Sequence, residues 1–175
     1  MMPFTKSFHP WGTMVLLLLS SSSLISANDE CADAIDITSF PFSTTGDVTK
    51  ATSDFVNPTD TLGNLTCGIS PRAIGVWYRI ESTTSTFLQA TITKAPEWPT
   101  KFNAALFEGS SCTDKICRQA PGDYQMENQR TQPTLTWFAQ PGVSYYLHVA
   151  GIDEVEVGPF DLDVEVCSIV ETIIW

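Results

Sequence analysis

The chain has 175 residues, of which 20 are acidic and 9 are Lys or Arg, so its formal net charge is −11 at neutral pH. The few cations are scattered along the sequence rather than clustered, and such a chain repels phosphate backbones and anionic lipid surfaces. Composition therefore disfavours binding to nucleic acids and to membrane surfaces.

Residues 1–27 are predicted to be a secretory signal peptide. A single cation, Lys6, precedes the apolar run 14–19, and a Ser-rich stretch then leads to the small residue Ala27. The apolar run is too short to cross a bilayer, so no membrane insertion is expected after cleavage. Cleavage leaves residues 28–175 as a single secreted domain of 148 residues, with 8 basic and 20 acidic side chains and a net charge of −12.

Beyond residue 30, alternating apolar and polar residues predict β-strands, and no helical period persists over ten residues. The stretch GVWYRIES places Val76, Tyr78 and Ile80 on one face and Trp77 on the other. The next strand, STFLQATIT, places Leu88, Ala90 and Ile92 opposite Phe87, Gln89 and Thr91. A short apolar run, FNAALFEG, follows. These patterns are typical of antiparallel strands with one solvated face.

The stretch LTWFAQPGVSYYLHVA predicts a hairpin whose turn lies at residues 140–143. Its more apolar faces, which are predicted to point inward, comprise Leu135, Trp137 and Ala139 on the first strand and Tyr145, Leu147 and Val149 on the second. His148, the only histidine after residue 27, is predicted to lie on the solvated face with Tyr146. In the last strand, PFDLDVEVC, the inward residues are Phe160, Leu162, Val164 and Val166.

Short strands separated by loops rich in Pro, Gly, Asn and Thr predict an all-β fold, a two-sheet antiparallel β-sandwich of jelly-roll type. The predicted loops are residues 53–73, 94–101, 109–115 and 119–133. The first loop contains the sequon Asn64-Leu65-Thr66, so Asn64 is a candidate N-glycosylation site.

Five motifs in a fixed order carry a family resemblance: NDECADAIDI (28–37), GVWYRI (75–80), KFNAALFEGSSCTDKIC (101–117), LTWFAQPGVSYYLHVAG (135–151) and GPFDLDVEVC (158–167). In order and spacing they resemble secreted jelly-roll domains similar to bacterial pre-peptidase C-terminal domains. The resemblance covers essentially the whole chain after residue 27. It implies an accessory module of a secreted protein, in some cases one that binds calcium or carbohydrate.

We therefore expect a secreted, non-catalytic binding or adhesion module that recognises carbohydrate or protein outside the cell. The alternative is a small secreted hydrolase that uses a pair of carboxylates, since 20 acids make some pair inevitable. We do not expect the protein to be an enzyme, because no nucleophile-elbow glycine pattern accompanies His148.

Two tryptophans are candidate ligand-binding residues. Sugar rings pack on exposed aromatic faces. Trp98 lies between two prolines in a predicted loop, and the ring of Trp77 is predicted to face outward from its strand. The alternative for Trp98 is a loop aromatic that folds back onto the sheet.

Two acidic clusters are candidate calcium sites, and calcium is the one cofactor that the sequence suggests. They comprise Asp29, Glu30 and Asp33 near the start of the secreted chain, and Asp153, Glu154 and Glu156 after the hairpin. The alternative is a solvated acidic rim.

Five cysteines remain after residue 27, and in an oxidising compartment most should pair. Cys112 and Cys117 bound a short turn, which predicts a local disulfide. Cys31 and Cys167 lie at the two ends of the domain, which a jelly roll tends to bring together, so they form the second predicted pair. Cys67 is then unpaired. The rival pairing is Cys31 with Cys67, which leaves Cys167 free.

Overall fold

The computed structural model describes residues 28–52, 67, 74–96, 101–119, 133–151 and 157–167. Within these residues, nine β-strands form two sheets, and a short 3₁₀ helix spans Cys31–Asp33. The strands are β1 (Ile35–Ile37), β2 (Phe42–Asp47), β3 (Gly75–Glu81), β4 (Thr86–Lys94), β5 (Phe102–Glu108), β6 (Ile116–Gln119), β7 (Thr134–Ala139), β8 (Ser144–Gly151) and β9 (Pro159–Val166). No helix among the described residues is both long and apolar enough to cross a membrane.

The strand order is that of a jelly roll. One sheet has the order β2-β9-β4-β7, and the other has the order β1-β3-β8-β5-β6. The antiparallel pairs β5/β6, β4/β7, β3/β8 and β2/β9 are nested hairpins that alternate between the two sheets. This nesting confirms the predicted all-β sandwich of jelly-roll type. The additional edge strand β1 runs parallel to β3, so one pair departs from the antiparallel prediction.

The main core lies between the two sheets and contains nearly all of the residues predicted to face inward. Trp137 and Phe160 are its large aromatic side chains from the four-stranded sheet, and Tyr78 and Tyr145 face them from the five-stranded sheet. The period-two alternation of each strand places these side chains on one face, which explains the success of the prediction. Val166 is the exception, because it is the last residue of β9 and its side chain stays about half exposed.

A second core covers the outer face of the five-stranded sheet, which was predicted to be solvated. Trp77 and Phe107 have no exposed surface, and Tyr146 and His148 are 4% and 1% exposed. The outward-facing position predicted for the ring of Trp77 is therefore corrected, as is the solvated position of His148. Both side chains point away from the main core, but other parts of the chain lie over them, and these parts include Cys31, Cys67 and Lys115. We call these parts the cover.

Two disulfides hold this cover in place, and they differ from both predicted pairings. Cys31 pairs with Cys112, and Cys67 pairs with Cys117, whereas Cys167 is free. Cys167 follows β9 in the four-stranded sheet, where its backbone N–H donates to the carbonyl of Phe87, whereas Cys31 belongs to the cover of the five-stranded sheet. Cys31 and Cys167 thus lie at different sheets, and Cys31 pairs with Cys112 instead.

The predicted local disulfide between Cys112 and Cys117 is wrong because the turn between them is closed by other means. The Asp114 carboxylate accepts hydrogen bonds from the Ser110 hydroxyl and from the backbone N–H of Ser111, the latter at 2.7 Å. These hydrogen bonds hold the pKa of the Asp114 carboxyl below its usual value. Each cysteine is then free to pair with a distant segment.

Several predictions fall outside the described residues: the signal peptide at 1–27, the glycosylation site Asn64, the loop aromatic Trp98, and the second acidic cluster of Asp153, Glu154 and Glu156. These stay predictions.

Candidate binding surface

A buried lysine lies at the centre of the covered outer face of the five-stranded sheet. Lys115 is 7% exposed, and its Nζ lies 4.0 Å from the centroid of the Trp77 ring and 3.1 Å from Sγ of Cys31. The rings of Phe107 and Tyr146 are 5.8 and 5.9 Å from the same nitrogen. A cation above an aromatic face is attracted by the ring quadrupole, most strongly where water is excluded. Lys115 therefore packs over Trp77 as part of the cover and helps to shield the ring from solvent.

His148 packs against the other side of the same cluster. Its ring centroid lies 4.3 Å from that of Trp77. Gly75 makes this packing possible, because a Cβ there would lie 2.5 Å from Nε2 of His148. Burial lowers the pKa of His148 to about 3, and the charge of Lys115 adds to the effect. The imidazole is thus neutral and shielded from solvent, which does not suit a proton donor or acceptor for a substrate in solution.

A shallow pocket of about 160 Å³ lies beside this cover. Its lining residues are Cys31, Ala32, Ala34, Asp36, Arg79, Cys112 and Tyr146. The two charged groups bind each other, since Nε and Nη2 of Arg79 donate to the two carboxylate oxygens of Asp36 at 2.6 and 2.9 Å. Ligand pockets usually enclose about 300–1,000 Å³, so this depression is a weak candidate for a binding site.

The outer face of the four-stranded sheet has a different character, because it is open. We call it the open face and define it by its outward-pointing residues: Ser43, Thr45 and Asp47 of β2, Phe87, Gln89, Thr91 and Thr93 of β4, Thr134, Thr136 and Phe138 of β7, and Asp161, Asp163 and Glu165 of β9. All of these residues are exposed or half-buried. They present hydroxyl, amide, carboxylate and aromatic groups on one side of the sheet.

An aromatic pair marks one end of the open face. Phe87 and Phe138 lie directly opposite each other on β4 and β7, and their ring centroids are 5.0 Å apart. They remain 36% and 45% exposed. Large apolar side chains on an otherwise polar sheet face are candidates for contact with a ligand. The alternation in STFLQATIT and LTWFAQ places both rings on the polar faces of their strands, but neither residue was predicted to bind a ligand.

Polar side chains lie next to this pair on the same face of the sheet. Nε2 of Gln89 donates to Oγ1 of Thr136 at 3.3 Å, and Glu165 lies opposite Gln89 on the neighbouring strand. Further along β9, two carboxylates accept hydrogen bonds from hydroxyl groups of β2. These bonds join Ser43 to Asp163 at 2.6 Å and Thr45 to Asp161 at 3.0 Å.

Half of the predicted calcium ligands, Asp29, Glu30 and Asp33, lie among the described residues, and calcium binding stays a prediction. Asp29 accepts hydrogen bonds from the backbone N–H and the hydroxyl of Thr52, at 3.2 and 3.0 Å. In the part of the chain that the structure describes, no three His, Cys, Asp or Glu side chains converge as metal ligands would, and this includes Glu30 and Asp33.

Comparison with known proteins gives a structural similarity alone. No family model matches the sequence, and no curated protein matches it. The structure is similar to the crystal structure of the pre-peptidase C-terminal domain of a collagenase from Bacillus anthracis. The two chains are 16% identical with a TM-score of 0.45, over 75% of this chain and 94% of that one.

Proposed function

We propose that residues 28–175 form a secreted, non-catalytic module that binds extracellular polysaccharide through the open face. The observation that carries this proposal is the contrast between the two outer faces. The outer face of the five-stranded sheet is covered by two disulfide-linked segments and Lys115, whereas the open face presents the aromatic pair Phe87 and Phe138 to solvent.

The chemistry of the open face suits a sugar polymer. Aromatic rings offer flat apolar contacts to the C–H faces of pyranose rings, and neighbouring amide and hydroxyl groups can exchange hydrogen bonds with sugar hydroxyls. Gln89 and Thr136 lie next to Phe87 and Phe138 on the same two strands. The open face spans four strands, and such a sheet surface favours a polymer that lies across several strands over a small molecule that must be enclosed.

The disulfides support an extracellular location. Disulfides persist in oxidising compartments and are rare in the cytosol, and here they link Cys31 to Cys112 and Cys67 to Cys117. This agrees with the signal peptide predicted at residues 1–27.

The same face argues against the alternative of a carboxylate-pair hydrolase. Glycosidase carboxylates flank the scissile bond. Asp161, Asp163 and Glu165 instead point in one direction from a single strand, so they would meet a sugar chain from the same side. This arrangement supports binding rather than hydrolysis.

The test measures retention of the purified domain on insoluble polysaccharides. A Phe87→Ala/Phe138→Ala variant should lose retention, whereas an Ile116→Ala variant should keep it. Ile116 is a matched control because it is 53% exposed but lies on the five-stranded sheet. Circular dichroism and a melting curve check that each variant is folded. Equal retention of the double variant and the wild type would reject the open face as the binding surface, and release of soluble sugars would reject a non-catalytic role.

A further inference from the structure

We infer that the polysaccharide bound by the open face carries free amino groups, as a polymer of glucosamine units does. This inference rests on the proposed function and names its class of ligand. Two independent features of the open face, its charge and its aromatic pair, favour the same chemical group, an ammonium ion.

The first feature is charge of one sign. Among the outward-pointing residues of the open face, four are carboxylates and none is Lys, Arg or His. The carboxylates are Asp47 of β2 and Asp161, Asp163 and Glu165 of β9. A surface of one sign attracts partners of the opposite sign and repels anionic polymers. Acidic polysaccharides are therefore disfavoured as ligands.

Among the described residues, these acids form no ion pair, whereas acids of the five-stranded sheet do. Asp36 pairs with Arg79 at 2.6 Å, and Glu108 pairs with Arg118 at 2.8 Å. None of the ion pairs found among the described residues involves the carboxylates of the open face. A bound ammonium group would supply the missing countercharge.

The spacing of the acids suits a polymer with repeated charges. Asp161, Asp163 and Glu165 alternate along β9, so successive carboxylates are roughly 7 Å apart on the same face. Like charges in such a row repel one another, and a ligand with several ammonium groups relieves this repulsion at more than one position. A single free cation could relieve the repulsion at only one position.

The aromatic pair reinforces the same preference. The face of a phenyl ring attracts cations, and this contact adds to the packing of a sugar ring. Phe87 lies two residues from Gln89 on β4, and Gln89 is opposite Glu165 on β9. Glu165 is thus a diagonal neighbour of Phe87, at a distance that long side chains and a ligand group can bridge. An amino sugar stacked on Phe87 can place its ammonium group toward Glu165.

The hydroxyl and amide groups distinguish an amino-sugar polymer from a basic protein. Thr136 and Gln89 lie in one cross-strand row with Glu165, and Thr134 and Thr91 lie in the next row with Asp163. These groups match the dense hydroxyl pattern of a sugar chain, whereas attraction to a basic protein needs the carboxylates alone.

The experiment compares binding of soluble glucosamine oligomers with their N-acetylated counterparts at mildly acidic pH, where the amines are protonated. Acetylation removes the charge and keeps the sugar backbone. We expect the glucosamine oligomer to bind about ten-fold more tightly, with an affinity that falls as salt is added. Asp163→Asn/Glu165→Gln should remove this preference, whereas Glu30→Gln/Asp33→Asn should keep it. The control pair removes the same charge from exposed residues outside the open face.

The outcomes separate the inference from the proposed function. Equal binding of both oligomers, lost in the Phe87→Ala/Phe138→Ala variant, would overturn the inference and leave the proposed function standing. Binding of polylysine as tight as that of the glucosamine oligomer, and unchanged in the same variant, would overturn the inference in favour of a basic protein partner. Absence of binding to every polysaccharide would overturn the proposed function as well.

Discussion

The ammonium nitrogen of Lys115 lies 4.0 Å from the centroid of the Trp77 ring and 3.1 Å from Sγ of Cys31, which forms the disulfide with Cys112. The position of Lys115 in the sequence explains this placement, since it lies between Cys112 and Cys117, each of which is tied to a different segment. The contact closes the outer face of the five-stranded sheet. The side chains of the open face, by contrast, are exposed or half-buried.

Truncation of Lys115 should destabilise the domain mainly through lost packing. Lys115→Ala removes the side chain that covers Trp77 and should lower the free energy of unfolding by about 2 kcal/mol. Lys115→Met keeps most of the packing and loses only the charge, so its effect should be less than half as large. Urea denaturation of the two variants and the wild type measures both values. If both variants lost the same free energy of unfolding, the charge of Lys115 rather than its packing would stabilise the cover.

Acid should destabilise the domain partly through His148. Its pKa is about 3 in the folded protein and about 6.5 in the unfolded chain, so the unfolded chain binds the proton more tightly. The contribution of His148 is therefore fully present above about pH 6.5 and is lost as the pH falls toward 3. It should change the free energy of unfolding by roughly 1 kcal/mol per pH unit within this window.

His148→Gln isolates this contribution, because the carboxylates titrate alike in both proteins. The variant should be less stable at neutral pH, but its free energy of unfolding should fall less steeply between pH 6.5 and 4. Parallel pH profiles for the two proteins would contradict a neutral, buried His148.

Peptide mapping of the non-reduced protein should recover two linked pairs, Cys31–Cys112 and Cys67–Cys117, with Cys167 alkylated as a free thiol. The linked residues are separated by 81 and 50 positions in the sequence. On the chain-entropy model, each such bridge stabilises the folded state by about 4 kcal/mol. Cys31→Ser/Cys112→Ser should therefore lower the melting temperature strongly. Recovery of a Cys112–Cys117 peptide would contradict the structure of the cover.

Two adjacent aromatic residues of β7 should respond oppositely to truncation. Trp137 is 8% exposed and packs near Tyr145 in the main core, so Trp137→Ala should cost about 3–5 kcal/mol and unfold or insolubilise the domain. Phe138 points to the other side of the sheet, and Phe138→Ala should cost less than about 1 kcal/mol. Its loss should instead weaken polysaccharide binding. Thermal melts and retention assays on both variants compare the two effects directly.

The strands β4, β7 and β9 were predictable because buried and more exposed residues alternate along them. The pattern of PFDLDVEV gives one buried and one solvated face, and its buried positions Phe160, Leu162 and Val164 agree with the structure. Each strand carries its own orientation in the residue pattern, so no long-range information is needed.

The second core was not predictable in the same way, because its cover comes from distant segments. Alternation correctly placed Trp77 on the side opposite the main core, but it cannot report what lies above that side. Cys31, Cys67 and Lys115, which help to cover it, are widely separated in the sequence. A local signal was nevertheless present, since the runs AALF and YYLHVA are apolar on both faces, as strands buried on both sides are.

The most direct test of binding through the open face is the map of backbone amide shifts in an NMR titration with a glucosamine oligomer. We expect shifts concentrated on β4 near Phe87 and Gln89, on β7 near Phe138 and on β9 near Glu165, with the amide signals around Trp77 unchanged. Shifts concentrated on the five-stranded sheet around Trp77, with the amides of the open face unmoved, would contradict it.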